Sequence, residues 1–249
     1  MSTEPPAIPR AAALIIGNEL LSGKIADANV VVLARTLRSC GWRLDRVLVI
    51  PDELDLIARE VRQLSEDFDA VFTSGGVGPT HDDLTVDAVA QAFGVEAAPV
   101  AALEQMIQSR YEGQATPGHL RMARAPTGAR LVSREAFPWP TIVMHNVWVF
   151  PGVPQIFAMK MALLRQELGS ASPFITVELK TQLDEGHLKP HLDAVVSAHP
   201  TVQVGSYPKW RDPECRTLVT FDGLDEREVE AAKASLASSL ARRSSSSSS

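Results

Sequence analysis

Short apolar runs alternate with helical patterns between Ala11 and Phe93. Apolar and β-prone runs predict three strands, at residues 11–16, 43–50 and 70–72. Helical spacing and capping residues predict three helices, from Asp27 or Asn29 to Cys40, and at 53–68 and 86–93. Such alternation is typical of a parallel sheet that helices cover on both faces. We therefore predict an α/β fold with three layers, α/β/α, around a mostly parallel sheet.

The rest of the chain completes this domain and adds a smaller one. Helices are predicted at 99–111, 116–124 and 155–168, with one strand at 141–150. A linker is expected at 169–173, followed by a small α+β domain with strands at 174–180, 201–207 and 215–221 and helices at 184–199 and 225–240. The expected organisation is a flexible N-terminus at 1–10, a main domain at 11–169, a small domain at 174–242 and a disordered serine tail at 243–249.

Composition narrows the class of protein. The chain has 249 residues, 45% of them apolar, and a net charge of −6, which argues against nucleic acid as the main partner. Its two cysteines are far apart in sequence, so a disulfide framework is not expected and the cytoplasm is the natural compartment. No apolar run is long enough to span a membrane, so a membrane partner is not expected.

The most informative stretch is the glycine-rich segment 73–85, between a predicted strand and a predicted helix. Gly75, Gly76 and Gly78 allow positive φ angles and the close approach of a ligand. Thr85 is predicted to cap the helix, whose unpaired N–H groups favour an anion. Asp82 and Asp83 would repel a bare phosphate, so they suggest metal binding, proton transfer or contacts to ligand N–H and O–H groups. The alternative is a glycine turn followed by a solvated acidic pair.

Two more segments follow predicted strands: the loop at 17–23 and the Pro-Gly-Val-Pro corner at 151–154. Ligands of parallel sheets bind beyond the carboxyl ends of the strands. The loop at 17–23 and the glycine segment are therefore expected to line one cleft, while the corner is either a plain strand-to-helix turn or a ligand contact. Four arginines near the middle of the chain form either a solvated face or a set of which one holds a phosphate: Arg121, Arg124, Arg130 and Arg134.

These motifs resemble the molybdopterin-binding domain family, which includes MoaB- and MogA-like proteins and the N-terminal domains of CinA and of FAD synthase. The glycine segment matches the family pattern at Gly75, Gly76, Gly78, Asp83 and Thr85. The CinA-type branch is further matched by the 151–154 corner, the Gly-Ser-Tyr-Pro stretch at 205–208 and the first-loop residues Gly17, Glu19, Leu20, Gly23, Asp27 and Asn29.

The resemblance implies a homo-oligomer that binds molybdopterin or a related pterin nucleotide. The ligand-binding residues it implies are Gly17, Asn18, Glu19, Asp27, Asn29, Ser74, Gly75, Gly76, Gly78, Pro79, Thr80, Thr85, Pro151, Gly152 and Pro154. Asp82 and Asp83 are the expected catalytic residues, and with Glu19 they are the expected ligands of magnesium, manganese or cobalt. Two other functions remain open: metal-dependent hydrolysis of a nucleotide pyrophosphate such as ADP-ribose or FAD, and a non-catalytic oligomeric scaffold.

Overall fold

A computed structural model describes residues 8–134, 137–169 and 172–246. The chain divides into two compact units, residues 1–171 and 172–249. Of the predicted flexible N-terminus, residues 1–7 lie outside the described part, and Arg10 already belongs to the first strand. In the described part of the chain, no helix has the length and apolar content needed to cross a bilayer.

The first unit is built on a six-stranded sheet. Its strands, in spatial order, are β2 (Arg43–Ile50), β1 (Arg10–Ile16), β3 (Ala70–Ser74), β8 (Val147–Phe150), β7 (Phe137–Met144) and β6 (Arg130–Arg134). The first four run parallel, whereas β7 and β6 pair antiparallel at one edge. A separate two-stranded ladder pairs β4 (Ala97–Pro99) with β5 (Arg124–Pro126). The predicted mostly parallel sheet is confirmed.

Helices cover both faces of this sheet. They are α1 (Asn18–Leu21), α2 (Asn29–Ser39), α3 (Leu54–Asp67), α4 (Thr85–Ala92), α5 (Ala101–Arg110), α6 (Pro117–Arg121) and α7 (Pro154–Leu168). Side chains of β1 alternate between two apolar clusters: Leu14 packs with residues of α3 and α4, and Ile15 with residues of α2 and α7. This alternation explains why the residues of β1 beyond Arg10 are all buried, and it confirms the three-layer arrangement.

The strand predicted at 141–150 is wrong as a single element. β7 and β8 form an antiparallel hairpin that turns at His145 and Asn146, with His145 at a φ of +52°. The Asn146 amide donates to the Ser65 and Phe68 carbonyls over 3.0 and 2.8 Å, which anchors the turn beside α3. Two polar residues are a weak interruption in an apolar run, so the pattern merges the two strands.

Other boundaries also differ from the sequence predictions. The short helix α1 occupies part of the predicted loop at 17–23, and the predicted helix at 116–124 ends at Arg121. A capping box starts α6: the Thr116 hydroxyl accepts from the His119 backbone, and the His119 ring accepts from the Thr116 backbone. The strands β4, β5 and β6, which sequence reasoning missed, have three, three and five residues and are too short for a clear alternating pattern.

The second unit has the predicted α+β order, with β9 (Ile175–Thr181), α8 (Glu185–Ala198), β10 (Gln203–Pro208), β11 (Thr217–Gly223) and α9 (Glu226–Ser246). Its antiparallel sheet has the order β10-β11-β9. Leu188, Val195, Phe221 and Leu236 belong to its core. The helix α9 continues into the serine-rich stretch predicted to be disordered, and residues 247–249 lie outside the described part.

Candidate functional site

A cavity of about 780 Å³ opens in the first unit at the carboxyl ends of the parallel strands β1, β3 and β8. The predicted site residues in its lining are Gly17, Glu19, Asp27, Asn29, Ser74, Gly75, Gly76, Gly78, Thr80, Asp82, Asp83, Pro151, Gly152 and Pro154. Asn18, Pro79 and Thr85 lie outside the lining. The structure thus brings the three predicted loops to one cavity, while their roles in ligand binding remain predictions.

The glycine loop packs so closely against its neighbours that Gly75 and Gly76 have no room for side chains. Gly75 and Gly76 have φ angles of +109° and +63°. A Cβ atom on Gly75 would lie 2.2 Å from the Ile16 carbonyl oxygen, and one on Gly76 would lie 2.4 Å from the Thr85 hydroxyl. Glycine is therefore required at both positions for conformation and for space.

Thr85 holds the glycine loop in place through two hydrogen bonds. It is fully buried, its hydroxyl donates to the Gly75 carbonyl over 2.8 Å, and its backbone N–H donates to the Gly76 carbonyl over 2.9 Å. The N-cap position of α4 belongs to Leu84, which makes no side-chain cap, so the predicted capping role of Thr85 is wrong. Its hydroxyl donates instead to the carbonyl of Gly75, ten positions earlier, and the local sequence gives no sign of this contact.

Asp82 and Asp83 share one hydrogen-bond donor, Thr80. The Thr80 backbone N–H donates to Asp83 over 2.8 Å, and the Thr80 hydroxyl lies within hydrogen-bond reach of both carboxylates. The hydroxyl of Thr80 lowers the pKa of Asp82, with smaller contributions from the Asp82 backbone N–H and from His81. Asp83 turns inward, since a Cβ on Gly78 would lie 2.7 Å from its Oδ2. Both groups are thus held in a compact acidic loop.

Asp52, which sequence reasoning missed, adds another carboxylate to the cavity. It follows β2 and accepts from the Asn18 backbone N–H over 2.8 Å. Burial raises the pKa of Asp52 against the opposing effect of that hydrogen bond, and the charges of Glu19, Asp82 and Asp83 raise it further. Asp52 could have been identified from the sequence because it directly follows a predicted parallel strand, where ligands bind. Negative charge is therefore concentrated at this end of the cavity.

The acidic residues do not form a ready metal site. Within residues 8–134, 137–169 and 172–246, no three histidine, cysteine, aspartate or glutamate side chains are grouped so that they could hold a metal ion. Asp27 instead accepts from the backbone N–H groups of Asn29 and Val30 over 3.3 and 2.9 Å, and so caps the start of α2. The described residues therefore do not fit a resident cation, and no metal-dependent step follows from their geometry.

Asn29, at the start of α2, bonds to residues at the ends of β3 and β8. It is 4% exposed, and its side-chain amide donates to the Ser74 hydroxyl over 2.9 Å and to the Gly152 carbonyl over 2.8 Å. Gly152 in turn packs on Gly75, whose Cα would lie 3.2 Å from a Cβ at position 152. The Oδ1 atom of Asn29 is buried and has no hydrogen-bond partner in the described part of the chain. Asn29 lines the cavity, and its Oδ1 is a buried acceptor for which the described residues supply no donor.

Another part of the lining carries arginines. Arg124 pairs with Asp87 at 2.9 Å, and Arg121 lies 3.7 Å from Asp87 and donates to the Asp83 carbonyl over 3.4 Å. Arg110 also lines the cavity. Arg130 and Arg134, which the sequence analysis grouped with Arg121 and Arg124, do not line the cavity. Arg134 instead pairs with Glu167 at 2.7 Å. Asp87 neutralises part of this positive charge.

Lys160 is a further residue that sequence reasoning missed. It lies on α7, is 4% exposed, lines the cavity and donates to the Trp139 carbonyl. Burial lowers the pKa of Lys160 to about 8. Its spacing from the buried residues Phe157 and Leu164, three before and four after it, places it on the buried face of α7. This spacing was the sign in the sequence that Lys160 is buried, and a buried position is unusual for a lysine.

Comparison with known proteins agrees with this architecture. Residues 12–169 match the family described as probable molybdopterin binding domain, and residues 173–248 match the middle domain of FAD synthase. A protein of Archaeoglobus fulgidus is 30% identical over 219 residues, which cover 87% of this chain and 92% of that protein.

Two further relatives carry informative names. A probable FAD synthase of Caenorhabditis briggsae is 29% identical over 261 residues, 93% of this chain and 50% of that protein, so the chain spans half the length of this relative. The solved structure of a CinA protein of unknown function from Thermoplasma acidophilum has a TM-score of 0.60 at 28% identity, and the match covers 65% of this chain and 98% of that one. The chain belongs to the family defined by the probable molybdopterin binding domain, followed here by a segment that matches the middle domain of FAD synthase.

Proposed function

We propose that the cavity binds a phosphate-bearing ligand whose ring system is rich in N–H groups, of the pterin or nucleotide type. The observation that carries the proposal is the buried Oδ1 of Asn29, which has no donor in the described part of the chain. A buried polar atom without a partner costs about 1–3 kcal/mol. A ligand N–H or O–H group at this position removes that cost, so Asn29 favours the bound state.

The size and chemistry of the cavity support this kind of ligand. A volume of about 780 Å³ lies within the range of about 300–1,000 Å³ that is usual for small-molecule sites. Asp52 and Asp82 supply acceptors in the lining, which suit the N–H groups of a pterin or of a nucleotide base. The family match supports molybdopterin, and the likeness to a probable FAD synthase supports a nucleotide.

A binding screen tests the proposal directly. Thermal shift is measured with a pterin, ADP-ribose and FAD, each with and without magnesium, manganese or cobalt. A ligand at a hundredfold excess over its Kd is expected to stabilise the fold by about 3 kcal/mol. Asn29→Ala and Asp83→Asn are expected to fold and to lose this shift. Asp193→Asn, at a side chain that is 64% exposed on α8, is the matched control and keeps it. No shift with any of the three ligands contradicts the proposal.

A second candidate function is hydrolysis of a nucleotide pyrophosphate with the help of a divalent cation. The observation that favours it is the concentration of charge around Asp52, since Glu19, Asp82 and Asp83 all raise its pKa. Such a group of carboxylates repels a pyrophosphate unless a cation accompanies the substrate. The described residues supply no preformed cation site, so the metal would have to arrive with the phosphate oxygens as part of its ligand set.

The hydrolase is tested by product formation. The protein is incubated with ADP-ribose or FAD plus magnesium, manganese or cobalt, and AMP release is followed with and without a chelator. Release that depends on metal and falls to background in Asp83→Asn supports the hydrolase. A ligand that binds without any AMP release leaves a binding module, and neither binding nor release leaves the oligomeric scaffold.

We also propose that the first unit pairs with a second copy of the chain. Four apolar residues are between 37% and 55% exposed: Trp139 on β7, Val153 directly before α7, and Ile156 and Met159 on α7. All but Met159 also line the cavity. Apolar side chains that cluster on an exposed surface mark an association site. Trp148 is buried in the core and takes no part in this surface. A monomer mass in light scattering at micromolar concentration contradicts the pairing.

A further inference from the structure

Lys160 is 4% exposed in the cavity lining, and no carboxylate of the described residues pairs with its ammonium group. Its amino group has three donors, and the Trp139 carbonyl accepts one of them. Across the described ranges, Lys160 makes no ion pair with an aspartate or glutamate. Burial lowers the pKa of Lys160, because removal from water disfavours the charged form. At pH 7 the group still carries its charge, so the folded protein holds a buried cation that lacks an anion.

The neighbouring elements supply other charges but none that pairs with Lys160. The element α7 packs against α2 and β7. On α7, Arg165 donates to the Thr36 hydroxyl and Glu167 pairs with Arg134. The other titratable groups on these two helices and in the cavity lining are Arg35, Arg38, Glu19, Asp27, Asp52, Asp82, Asp83, Asp87, Arg110, Tyr111, Arg121 and Arg124. Among the described residues none supplies an anion to Lys160, and an anionic ligand in the cavity would supply one.

The distribution of charge also decides which end of a ligand comes to Lys160. A phosphate placed among Asp52, Asp82 and Asp83 meets repulsion, whereas an N–H-rich ring placed there finds acceptors. At Lys160 the preference reverses, because an ammonium group that is removed from water gains from an anion and not from an N–H donor. Asp52 follows β2 and Lys160 bonds to β7, which are the first and fifth strands of the sheet, so these two parts of the cavity favour opposite ends of one ligand.

We propose that Lys160 binds the phosphoryl group of the ligand, while the ring system lies against the carboxylates of the glycine loop. This inference rests on the proposed function, and it assigns the orientation of the ligand. Lys160 is accordingly a ligand-binding residue at the end of the cavity formed by α7 and β7. A phosphate held by the arginines Arg110, Arg121 and Arg124 is the competing arrangement.

Pairs of ligands that differ only in the phosphate test the assignment. Binding of AMP is compared with adenosine, and of FMN with riboflavin, by titration calorimetry. In Lys160→Met the affinity for the phosphate-bearing member of the pair is expected to fall about 10- to 100-fold, with the affinity for the other member within about twofold of wild type. Arg59→Met removes one positive charge from an exposed side chain of α3 and is the matched control, expected to change neither.

A pH series on the unmodified protein provides a test that needs no variant to fold. A bound phosphate raises the pKa of Lys160 above its value of about 8 in the ligand-free protein. Phosphate affinity is therefore full below pH 8 and falls as the pH rises from 8 toward the pKa of the complex. The phosphate itself, with a second pKa near about 6, does not titrate in this range. Lys160→Arg stays charged, so its affinity should not fall over this range.

The outcomes separate the two proposals. If wild type binds neither the three screened ligands nor any member of the two pairs, the proposed function fails and this inference fails with it. If wild type binds a screened ligand but shows no preference for AMP over adenosine or for FMN over riboflavin, only the orientation is overturned. If wild type binds but Lys160→Met lowers AMP or FMN affinity no more than adenosine or riboflavin affinity, only the orientation is overturned. The orientation is also overturned if Arg110→Gln selectively loses affinity for AMP or FMN and Lys160→Met does not. That result would place the phosphate at the arginines.

Discussion

The side-chain amide of Asn29 donates to the backbone carbonyl of Gly152 over 2.8 Å, across 123 positions of sequence. Through this bond and a second one to Ser74, the start of α2 is tied to the ends of β3 and β8. The cavity therefore depends on one amide for its shape as well as for its unpaired acceptor.

Replacing Asn29 by alanine should destabilise the first unit. The change leaves the buried Ser74 hydroxyl without its donor, which costs about 1–3 kcal/mol, and it also removes the part-buried hydrogen bond to the Gly152 carbonyl. Urea unfolding measures the loss. Ser74→Ala removes only one of the two partners and is expected to cost less. Equal stability of Asn29→Ala and wild type would show that the amide does not hold the corners together.

A second prediction concerns Gly75, where backbone conformation and space both exclude a side chain. In Gly75→Ala the new Cβ meets the Ile16 carbonyl oxygen at 2.2 Å, so the loop or β1 has to shift. Gly94 is the matched control: its φ is +67°, but nothing lies within 4 Å of a Cβ there. Gly94→Ala should cost about 1–2 kcal/mol, the conformational penalty alone. Gly75→Ala should cost clearly more in urea unfolding, and a cost no larger than that of the control would refute the steric argument.

The fold could be predicted where local pattern and tertiary environment agree. The run of apolar residues in β1 reads correctly as a strand because both faces of the sheet are covered, and Gly75 and Gly76 read correctly as a turn because they need positive φ angles. The hairpin at Asn146 was missed because the side chain that anchors it bonds to α3, far away in sequence.

The candidate site was predictable in position but not in its energetics. The carboxyl ends of parallel strands meet at one edge, so the loops could be placed together from sequence. The raised pKa of Asp52 and the burial of Lys160 depend on groups from several elements at once. The role of Thr85 likewise depends on a carbonyl in the preceding loop, and not on the helix that it begins.

A third prediction is that Asp52→Asn stabilises the protein at neutral pH. The pKa of Asp52 is raised in the folded state above its ordinary value of 3.8, so the folded state binds more protons than the unfolded state between these two values. Stability is therefore lost as the pH rises through this window, so the penalty is larger at neutral pH than at pH 3.8. Asparagine removes the charge and still accepts from the Asn18 backbone N–H.

The pH profile distinguishes this effect from a change in packing. The stability gain of Asp52→Asn, measured by urea unfolding, should be largest at pH 7 and should shrink as the pH falls toward 3.8. Asp52→Ala removes the charge and also the acceptor for Asn18, so its gain should be smaller. A gain that does not change with pH would contradict the electrostatic explanation.

The last prediction is that Lys160→Met makes the ligand-free protein more stable. The pKa of Lys160 is about 8 when folded, against 10.5 ordinarily, so between these values the unfolded state binds more protons and stability rises with pH. Below pH 8 both states are protonated and the folded protein bears the full cost of the buried charge, about 3 kcal/mol. Methionine is of similar length and avoids this cost, but it loses the hydrogen bond to the Trp139 carbonyl, worth about 1 kcal/mol. The expected net gain at pH 7 is about 2 kcal/mol, or about 4–8 °C in Tm.

Two comparisons check the cause of that gain. At pH 9.5 wild-type Lys160 is largely neutral, so the difference in Tm between wild type and Lys160→Met should be much smaller than at pH 7. Lys180→Met, at an exposed position on β9, should leave the Tm nearly unchanged at both pH values. A Lys160→Met variant that is less stable than wild type at pH 7 would mean that the ammonium group is already stabilised in the ligand-free protein. If Lys160 binds an anion, its ammonium group should destabilise the ligand-free protein and stabilise the complex. The reason is that only the bound anion neutralises the buried positive charge.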